Sequence, residues 1–153
     1  MTQKQLDVNL REKPRFPLYL HLNSADAFIH IDDFGLDLKN YLCGLISING
    51  KILLDKDENN SSNDEKSLYL CSDLCGNMSI LNKGLRLPVL REIIFKENES
   101  TIDSSAYSKV LWIETSDVVI HKIHLYIRNG LGETPSLKHC SLNCTLFIFP
   151  KYE

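Results

Sequence analysis

The sequence has no long apolar run, and this absence excludes several classes of protein. No stretch of the 153 residues approaches the roughly 20 apolar residues that a membrane-spanning helix needs. The N-terminal stretch MTQKQLDVNLREK is polar and lacks the apolar segment of a secretory signal. We therefore expect a protein that is not secreted, has no membrane partner, and is kept in a reducing compartment such as the cytoplasm or nucleus.

A strong positive charge is also missing. The formal net charge is -3 at pH 7, with 17 Lys and Arg against 20 Asp and Glu. Proteins that coat nucleic acid carry a basic surface, so this balance argues against that class. We expect no specific nucleic-acid partner.

The cysteines do not read as a disulfide framework, since their number is five and no secretory signal precedes them. Two pairs, Cys71 with Cys75 and Cys140 with Cys144, are the candidate ligands for a structural zinc ion, which thiolates bind well. Residues four apart on a strand, however, lie about 13 Å from each other, too far to hold one ion without an intervening turn. Buried free thiols are the favoured interpretation, and no cofactor is expected.

Motifs that carry catalysis are absent as well. The sequence has no G-x-S-x-G elbow, no Cys–His protease signature and no Gly-rich phosphate loop between a strand and a helix. The pair His121 and His124 suits a metal site on a helix, but on a strand this odd offset sends the rings to opposite faces. We expect that the protein is not an enzyme and has no catalytic residue.

What the sequence does contain is alternation with a period of two. The clearest case follows the only tryptophan, Trp112, and ends at Asn129-Gly130. Such alternation, rich in β-branched and aromatic residues, predicts a long half-buried strand. We expect the stretch to be divided near Ser116-Asp117 and its second half to pair with the closing CTLFIF strand. Its two predicted faces hold Val119, His121, Ile123, Leu125 and Ile127 on one side, and Ile120, Lys122, His124, Tyr126 and Arg128 on the other.

The same pattern recurs along the chain and predicts an all-β fold. About eight or nine short strands, uneven polar loops and no convincing helix favour an antiparallel β-sandwich, a single jelly roll of about eight strands. Asn49-Gly50 predicts a two-residue hairpin turn, because both central positions of such a turn need positive φ. The predicted domains are a flexible N-terminal arm over residues 1–15, loosely basic, and one β-sandwich over residues 16–153. The basic residues of the arm are Lys4, Arg11, Lys13 and Arg15, and two interpretations stay open: a solvated tail, or an interaction arm that orders against a neighbouring subunit.

Three segments resemble a known group of proteins. They are SLYLCSDL, LPVLREI and, above all, VVIHKIHLYIRNGLGETPSLKHCSLNCTLFIF. Their pattern is similar to that of capsid-associated proteins of Polinton (Maverick) elements and adenovirus-like viruses. The resemblance implies a minor capsid, penton-type jelly-roll protein in the virion, with other capsid proteins as partners. It also implies a homo-oligomer, for which a pentamer is one candidate, and it implies no catalytic residue.

Three functional hypotheses follow. The first is a structural, non-enzymatic jelly-roll subunit that self-assembles. The second is a monomeric β-sandwich module that recognises a protein or glycan through the polar loops at residues 55–66 and 97–106. The third is a domain stabilised by zinc at Cys71, Cys75, Cys140 and Cys144.

Overall fold

A computed structural model describes residues 15–31, 35–55, 67–76, 78–81, 84–93, 101–102, 109–116 and 119–151. These ranges contain thirteen β-strands and no α-helix, so they hold no helix that is long and apolar enough to cross a membrane. Residues 1–14 of the predicted arm, with Lys4, Arg11 and Lys13, lie outside the described residues; Arg15 is exposed. The strands are β1 (Phe16–Leu22), β2 (Asp26–His30), β3 (Leu36–Asp37), β4 (Tyr41–Leu54), β5 (Leu68–Ser72), β6 (Ser79–Ile80), β7 (Arg86–Leu87), β8 (Val89–Ile93), β9 (Thr101–Ile102), β10 (Ile113–Glu114), β11 (Val119–Ile120), β12 (Lys122–Asn129) and β13 (Leu137–Pro150).

Two antiparallel sheets contain the principal strands. Sheet A has the order β1-β13-β4, followed by β9 and β10, which pair with different parts of β4. Sheet B has the order β2-β12-β5-β8. Two short pairs, β3 with β11 and β6 with β7, lie outside these sheets. Because β9 and β10 both run antiparallel to β4, they act as two pieces of one interrupted strand.

The strand order confirms the predicted jelly roll. With β9 and β10 counted together and the short pairs set aside, the principal strands follow the order 1-8-3-6 in sheet A and 2-7-4-5 in sheet B. The chain therefore crosses between the sheets at nearly every connection, as in the double Greek key of a jelly roll. The first and last strands become neighbours, with Phe16 opposite Ile148.

The core lies between the two sheets and follows the alternation of the sequence. On β12, Ile123, Leu125 and Ile127 are fully buried, and on β13 Leu146 and Ile148 face them from sheet A. Burying an aliphatic side chain of this size contributes about 1.5–3 kcal/mol, which outweighs the weak preference of the backbone for any one register. The predicted face of β12 is therefore buried at Ile123, Leu125 and Ile127, whereas Val119 and His121, predicted on the same face, are exposed.

The predicted hairpin at Asn49-Gly50 is wrong. Strand β4 runs through both residues, which pair with Asn143 and Leu142 of β13. Glycine is needed here for another reason: Gly50 has φ 144°, and a Cβ built on it would lie 1.9 Å from the Ser141 carbonyl oxygen. Of the two positive φ angles that the predicted turn needs, only that of Gly50 is present, and it marks a close approach of two strands instead of a turn.

The predicted partner of the strand after Val119 is also wrong. β12 pairs with β2 and β5 in sheet B, whereas β13 pairs with β1 and β4 in sheet A. The alternation breaks at His121, a bend between β11 and β12, so that His121 is exposed and Ile120 is buried. The reason is that β11 pairs with β3 and not with the neighbours of β12.

Candidate functional site

The four candidate zinc ligands do not come together as one site in the structure. Cys71 lies on β5 and Cys75 just after it, whereas Cys140 and Cys144 lie on β13 in the other sheet. All four are buried and free, as is Cys43. Among the residues that the structure describes, no three His, Cys, Asp or Glu side chains come together in a way that could hold a metal ion.

The environment of these thiols disfavours the thiolate that zinc requires. Burial raises the pKa of Cys71 and of Cys144 to about 12. The pKa of Cys75 is raised mainly by a hydrogen bond with Cys43 and secondly by burial. Burial alone raises the pKa of Cys140. Metal binding and nucleophilic attack both need the deprotonated sulfur, so these side chains behave as small apolar core residues.

One open cleft of about 310 Å³ lies near the start of β13. It is lined by polar and apolar groups that include Asn23, Ser24, Lys138 and His139, and it contains no Asp or Glu. A histidine that acts as a general base is typically oriented by a neighbouring carboxylate. The cleft therefore offers His139 no carboxylate partner.

The outer face of sheet A carries an apolar surface that we call the outer patch. Tyr19 is 77% exposed, Trp112 44% and Ile46 42%, and Phe147 and Phe149 are half-buried beside them. Monomeric proteins scatter such residues singly, whereas a contiguous group marks an interaction surface. The patch comprises Pro17, Tyr19, Leu42, Ile46, Trp112, Phe147 and Phe149.

Trp112 is the centre of this patch. Its indole ring lies over Gly44 of β4, where an added Cβ would come within 2.7 Å of Trp112 Cε3. The ring also meets Phe149 edge to face, with the ring centroids 5.0 Å apart. Gly44 thus provides a seat for one face of the indole, while the remainder of the ring is exposed to solvent.

The outer face of sheet B carries a different arrangement, which we call the ring stack. Phe28 of β2 lies opposite His124 of β12, with ring centroids 4.2 Å apart and nearly parallel. Tyr126 stacks on the other face of His124 at 4.3 Å. Cations cover both ends, since Lys122 Nζ lies 5.4 Å from the Phe28 centroid and Arg128 Cζ lies 4.5 Å from that of Tyr126. The three rings therefore pack face to face and cover one another's flat surfaces.

Asp26 links two members of this arrangement, His124 in the middle of the stack and Arg128 at one end. One carboxylate oxygen accepts hydrogen bonds from His124 Nε2 at 2.8 Å and from Arg128 Nη2 at 2.9 Å. Burial raises the pKa of Asp26, but hydrogen bonds and charges of Arg128 and His124 outweigh it, so the pKa lies below its ordinary 3.8. The arrangement is an ion-pair network, and the Ser24 hydroxyl beside it donates to the main-chain carbonyl of Asp26 at 2.8 Å.

Sequence reasoning missed both outer faces. Sequence patterns assign His124 no role beyond a place on the face opposite His121, although the alternation does place Lys122, Tyr126 and Arg128 on the same face as His124. The signal for the outer patch was present in β13, where TLFIF is apolar on both faces. Strands that read this way are typically covered on both sides.

The predicted recognition loops and the family resemblance remain predictions. Of residues 55–66 and 97–106, the structure describes only Asp55, Thr101 and Ile102. Comparison with known proteins finds no matching family model, no matching curated protein and no matching solved structure.

Proposed function

We propose that this chain is a structural, non-enzymatic subunit that associates with further copies of itself. The observation that carries the proposal is the outer patch, in which Tyr19 and Trp112 present large apolar surface to solvent on a sheet face. Leaving such surface in water costs about 25 cal/mol for each Å² of apolar area, and association recovers part of it. The protein therefore gains free energy by covering this face.

The chemistry of the described side chains supports the same proposal. The thiols are buried and protonated, the open cleft pairs His139 with no carboxylate, and Asp26 is engaged by two basic residues. These arrangements stabilise a fold and provide no reacting group. A role in the minor capsid of a virus-like element, with assembly into a ring, is the specific form of the proposal and rests on the resemblance of residues 67–74, 87–93 and 118–149.

Light scattering coupled to size-exclusion chromatography tests the proposal. At about 50 μM, a concentration at which micromolar contacts are populated, the expected mass is a multiple of 17.5 kDa. Dilution to about 0.5 μM is expected to shift the mass toward that of the monomer. A strict monomer over the whole range would contradict self-assembly.

A monomeric binding module is the second candidate, and the ring stack favours it. Phe28 is 63% exposed, and Tyr126 and Arg128 are residue types enriched at recognition surfaces. Under this reading, an array of glycans and peptides would yield a ligand whose capture is lost in Phe28→Ser. Under the first proposal, the same substitution leaves self-association unchanged.

A further inference from the structure

We infer that the N-terminal arm covers the outer patch of its own chain, with the side chains of Leu6, Val8 and Leu10 laid against it. This assignment goes beyond the proposed function, because it gives the patch an occupant within one molecule; only its consequence for self-association rests on that function. Four observations lead to it: the place where the arm joins the sheet, the cover that the patch needs, the side chains that the arm carries, and the charges of the arm and of the β-sandwich.

The arm joins sheet A beside the patch. β1 begins at Phe16, and the next residue, Pro17, lies opposite Phe147 of β13. Phe147 in turn lies opposite Gly44 of β4, on which the ring of Trp112 packs. This row crosses three strands, a distance of about 10 Å at a spacing of about 4.8 Å between neighbours. The chain therefore enters the sheet next to the row that holds the centre of the patch.

The patch needs an apolar cover. β13 places Leu146 and Ile148 in the core and Phe147 and Phe149 on the outside. In antiparallel sheets with one solvated face the outward positions are usually polar, so this part of sheet A departs from the rule. Tyr19 of β1 adds a ring that is 77% exposed. Side chains that cover this surface must be apolar and must come from outside the described strands.

The arm carries a matching set of side chains. Leu6, Val8 and Leu10 alternate with Asp7 and Asn9. In an extended segment this period of two directs the three apolar side chains to one side and the polar ones to the other. A segment laid on the sheet can therefore bury the first set and keep the second in water.

The length of the arm is sufficient. Leu10 precedes Phe16 by six residues, and six residues reach at most about 20 Å. Trp112 packs on β4, about 10 Å from β1, so Leu10 can reach its ring. Leu6, four residues earlier, extends the segment by about 13 Å more. A segment tethered this closely acts at an effective concentration in the millimolar range, so even a weak contact is populated.

Charge favours the arm over a second β-sandwich as the occupant. The arm has four basic and two acidic residues, whereas the rest of the chain has 13 basic and 18 acidic residues. Opposite net charges attract, and two copies of the acidic β-sandwich repel each other. The border of the patch is also acidic, because Glu114 lies opposite Leu42 and its side chain is 53% exposed even though it pairs with Lys151. Arg11 and Lys13 of the arm can approach this border.

The arm then competes with further copies of the chain for the same surface. If it is docked in about nine of ten molecules, its release raises the fraction with an open patch about tenfold. Self-association through the patch becomes tighter by about that factor, since only the open form can associate. The arm thus limits assembly until something draws it away.

Acrylamide quenching of Trp112 fluorescence in the full chain at about 0.5 μM tests the inference where association is weakest. The apolar-side variant carries Leu6→Ser, Val8→Ser and Leu10→Ser. The control variant, altered on the opposite side of the same segment, carries Gln3→Ser, Gln5→Ser and Asn9→Ser. We expect the quenching constant to rise about twofold in the apolar-side variant, with emission shifted to the red, and to keep its wild-type value in the control. Equal quenching in all three proteins would overturn the inference.

Nuclear Overhauser effects identify the occupant directly. In the full chain we expect contacts between the methyl groups of Leu10 and the indole ring of Trp112. An equimolar mixture of ¹³C-labelled and unlabelled protein separates contacts within one molecule from contacts between two. Contacts seen only between molecules would place the arm on another copy and would overturn the inference.

The outcomes separate the inference from the proposed function. A protein that stays monomeric at about 50 μM, yet shows the difference in quenching, supports the covered patch and contradicts self-assembly. Wild-type self-association together with equal quenching contradicts the covered patch alone. Both variants are expected to keep the wild-type far-ultraviolet circular dichroism, because their substitutions lie outside every described strand, so a change in quenching cannot be attributed to unfolding.

Discussion

The indole ring of Trp112 lies directly on the backbone of Gly44, so that these two residues together form the middle of the outer face of sheet A. Neither residue alone would predict this contact, because Gly44 lies in the interior of β4 and Trp112 precedes β10. The glycine is needed for space, as any Cβ would overlap the ring. The contact makes the single tryptophan a reporter for this surface.

We predict that Gly44→Ala displaces Trp112 from the sheet. The Cβ would lie 2.7 Å from the ring and 2.8 Å from Val110 Cγ1, so both side chains must move. Overpacking of this kind typically costs about 1–3 kcal/mol of the free energy of unfolding. The first measurement is the fluorescence of Trp112, the only tryptophan, whose emission is expected to shift to the red. The second is urea denaturation, in which the midpoint is expected to fall. If the emission maximum of Trp112 does not change, its ring does not pack on Gly44.

A second prediction concerns Gly50. In Gly50→Ala the new Cβ meets the Ser141 carbonyl oxygen at 1.9 Å, and neither backbone can yield without separating β4 from β13. We expect a loss of more than about 3 kcal/mol or a failure to fold. Gly84→Ala is the matched control, since Gly84 also has positive φ but nothing lies within 4 Å of its Cβ.

The control separates two causes of destabilisation. Left-handed strain alone costs about 1–2 kcal/mol, so Gly84→Ala is expected to remain folded with a modestly lower urea midpoint. If both variants lose the same free energy of unfolding, the close approach of β4 and β13 at Gly50 has no separate effect.

A third prediction is that Asp26 stabilises the fold at neutral pH and not in strong acid. Its folded pKa lies below the ordinary 3.8, so the carboxylate contributes stability above the unfolded pKa and loses that contribution as pH falls through the folded pKa. The group is partly exposed, which limits the expected cost of Asp26→Asn at pH 7 to about 1 kcal/mol or less.

Urea denaturation of wild type and Asp26→Asn at pH 7 and at about pH 2 measures this contribution. The two midpoints should differ at pH 7 and converge in acid. A difference that stays constant with pH would show that the effect of the substitution does not come from the charge. Titration of the Asp26 carboxyl by NMR should give a pKa below 3.8.

A fourth prediction concerns the thiols. Because burial raises the pKa of Cys71 and Cys144 to about 12, the thiolate fraction at pH 8 is far below that of a free cysteine. We expect both to react with a disulfide reagent more than about 100-fold slower in the native protein than in denaturant, where all five thiols react. Rapid reaction of either residue in the folded state would contradict its burial.

Local patterns in the sequence predicted the fold well and the pairing poorly. The alternation of Ile123, Leu125 and Ile127 determines which face is buried, and that depends only on the strand itself. Which strand lies beside it depends on residues far along the chain, such as Ala27 and Ser72, both of which lie opposite Leu125. No local signal carries that information, so the predicted pairing of β12 with β13 was wrong.

The candidate surfaces were less predictable than the fold for a related reason. The ring stack needs Phe28 and His124 in register on neighbouring strands nearly 100 residues apart, and the outer patch needs Trp112 to lie across β4. Gly50 shows the converse case: its positive φ was predicted correctly, but it allows a close approach of two strands and not a hairpin turn. Hydrophobicity on both faces of β13 was the one local sign of a covered surface.

The position of β13 between β1 and β4 has a consequence for how the protein is made. Its partners are complete long before residues 137–150 leave the ribosome, yet sheet A has no central strand until then. Contacts of such long sequence separation form slowly, because closing the chain costs entropy before pairing returns any free energy. During synthesis the edges of β1 and β4 that β13 will pair with stay open, and the nascent chain is most prone to aggregation just before β13 arrives.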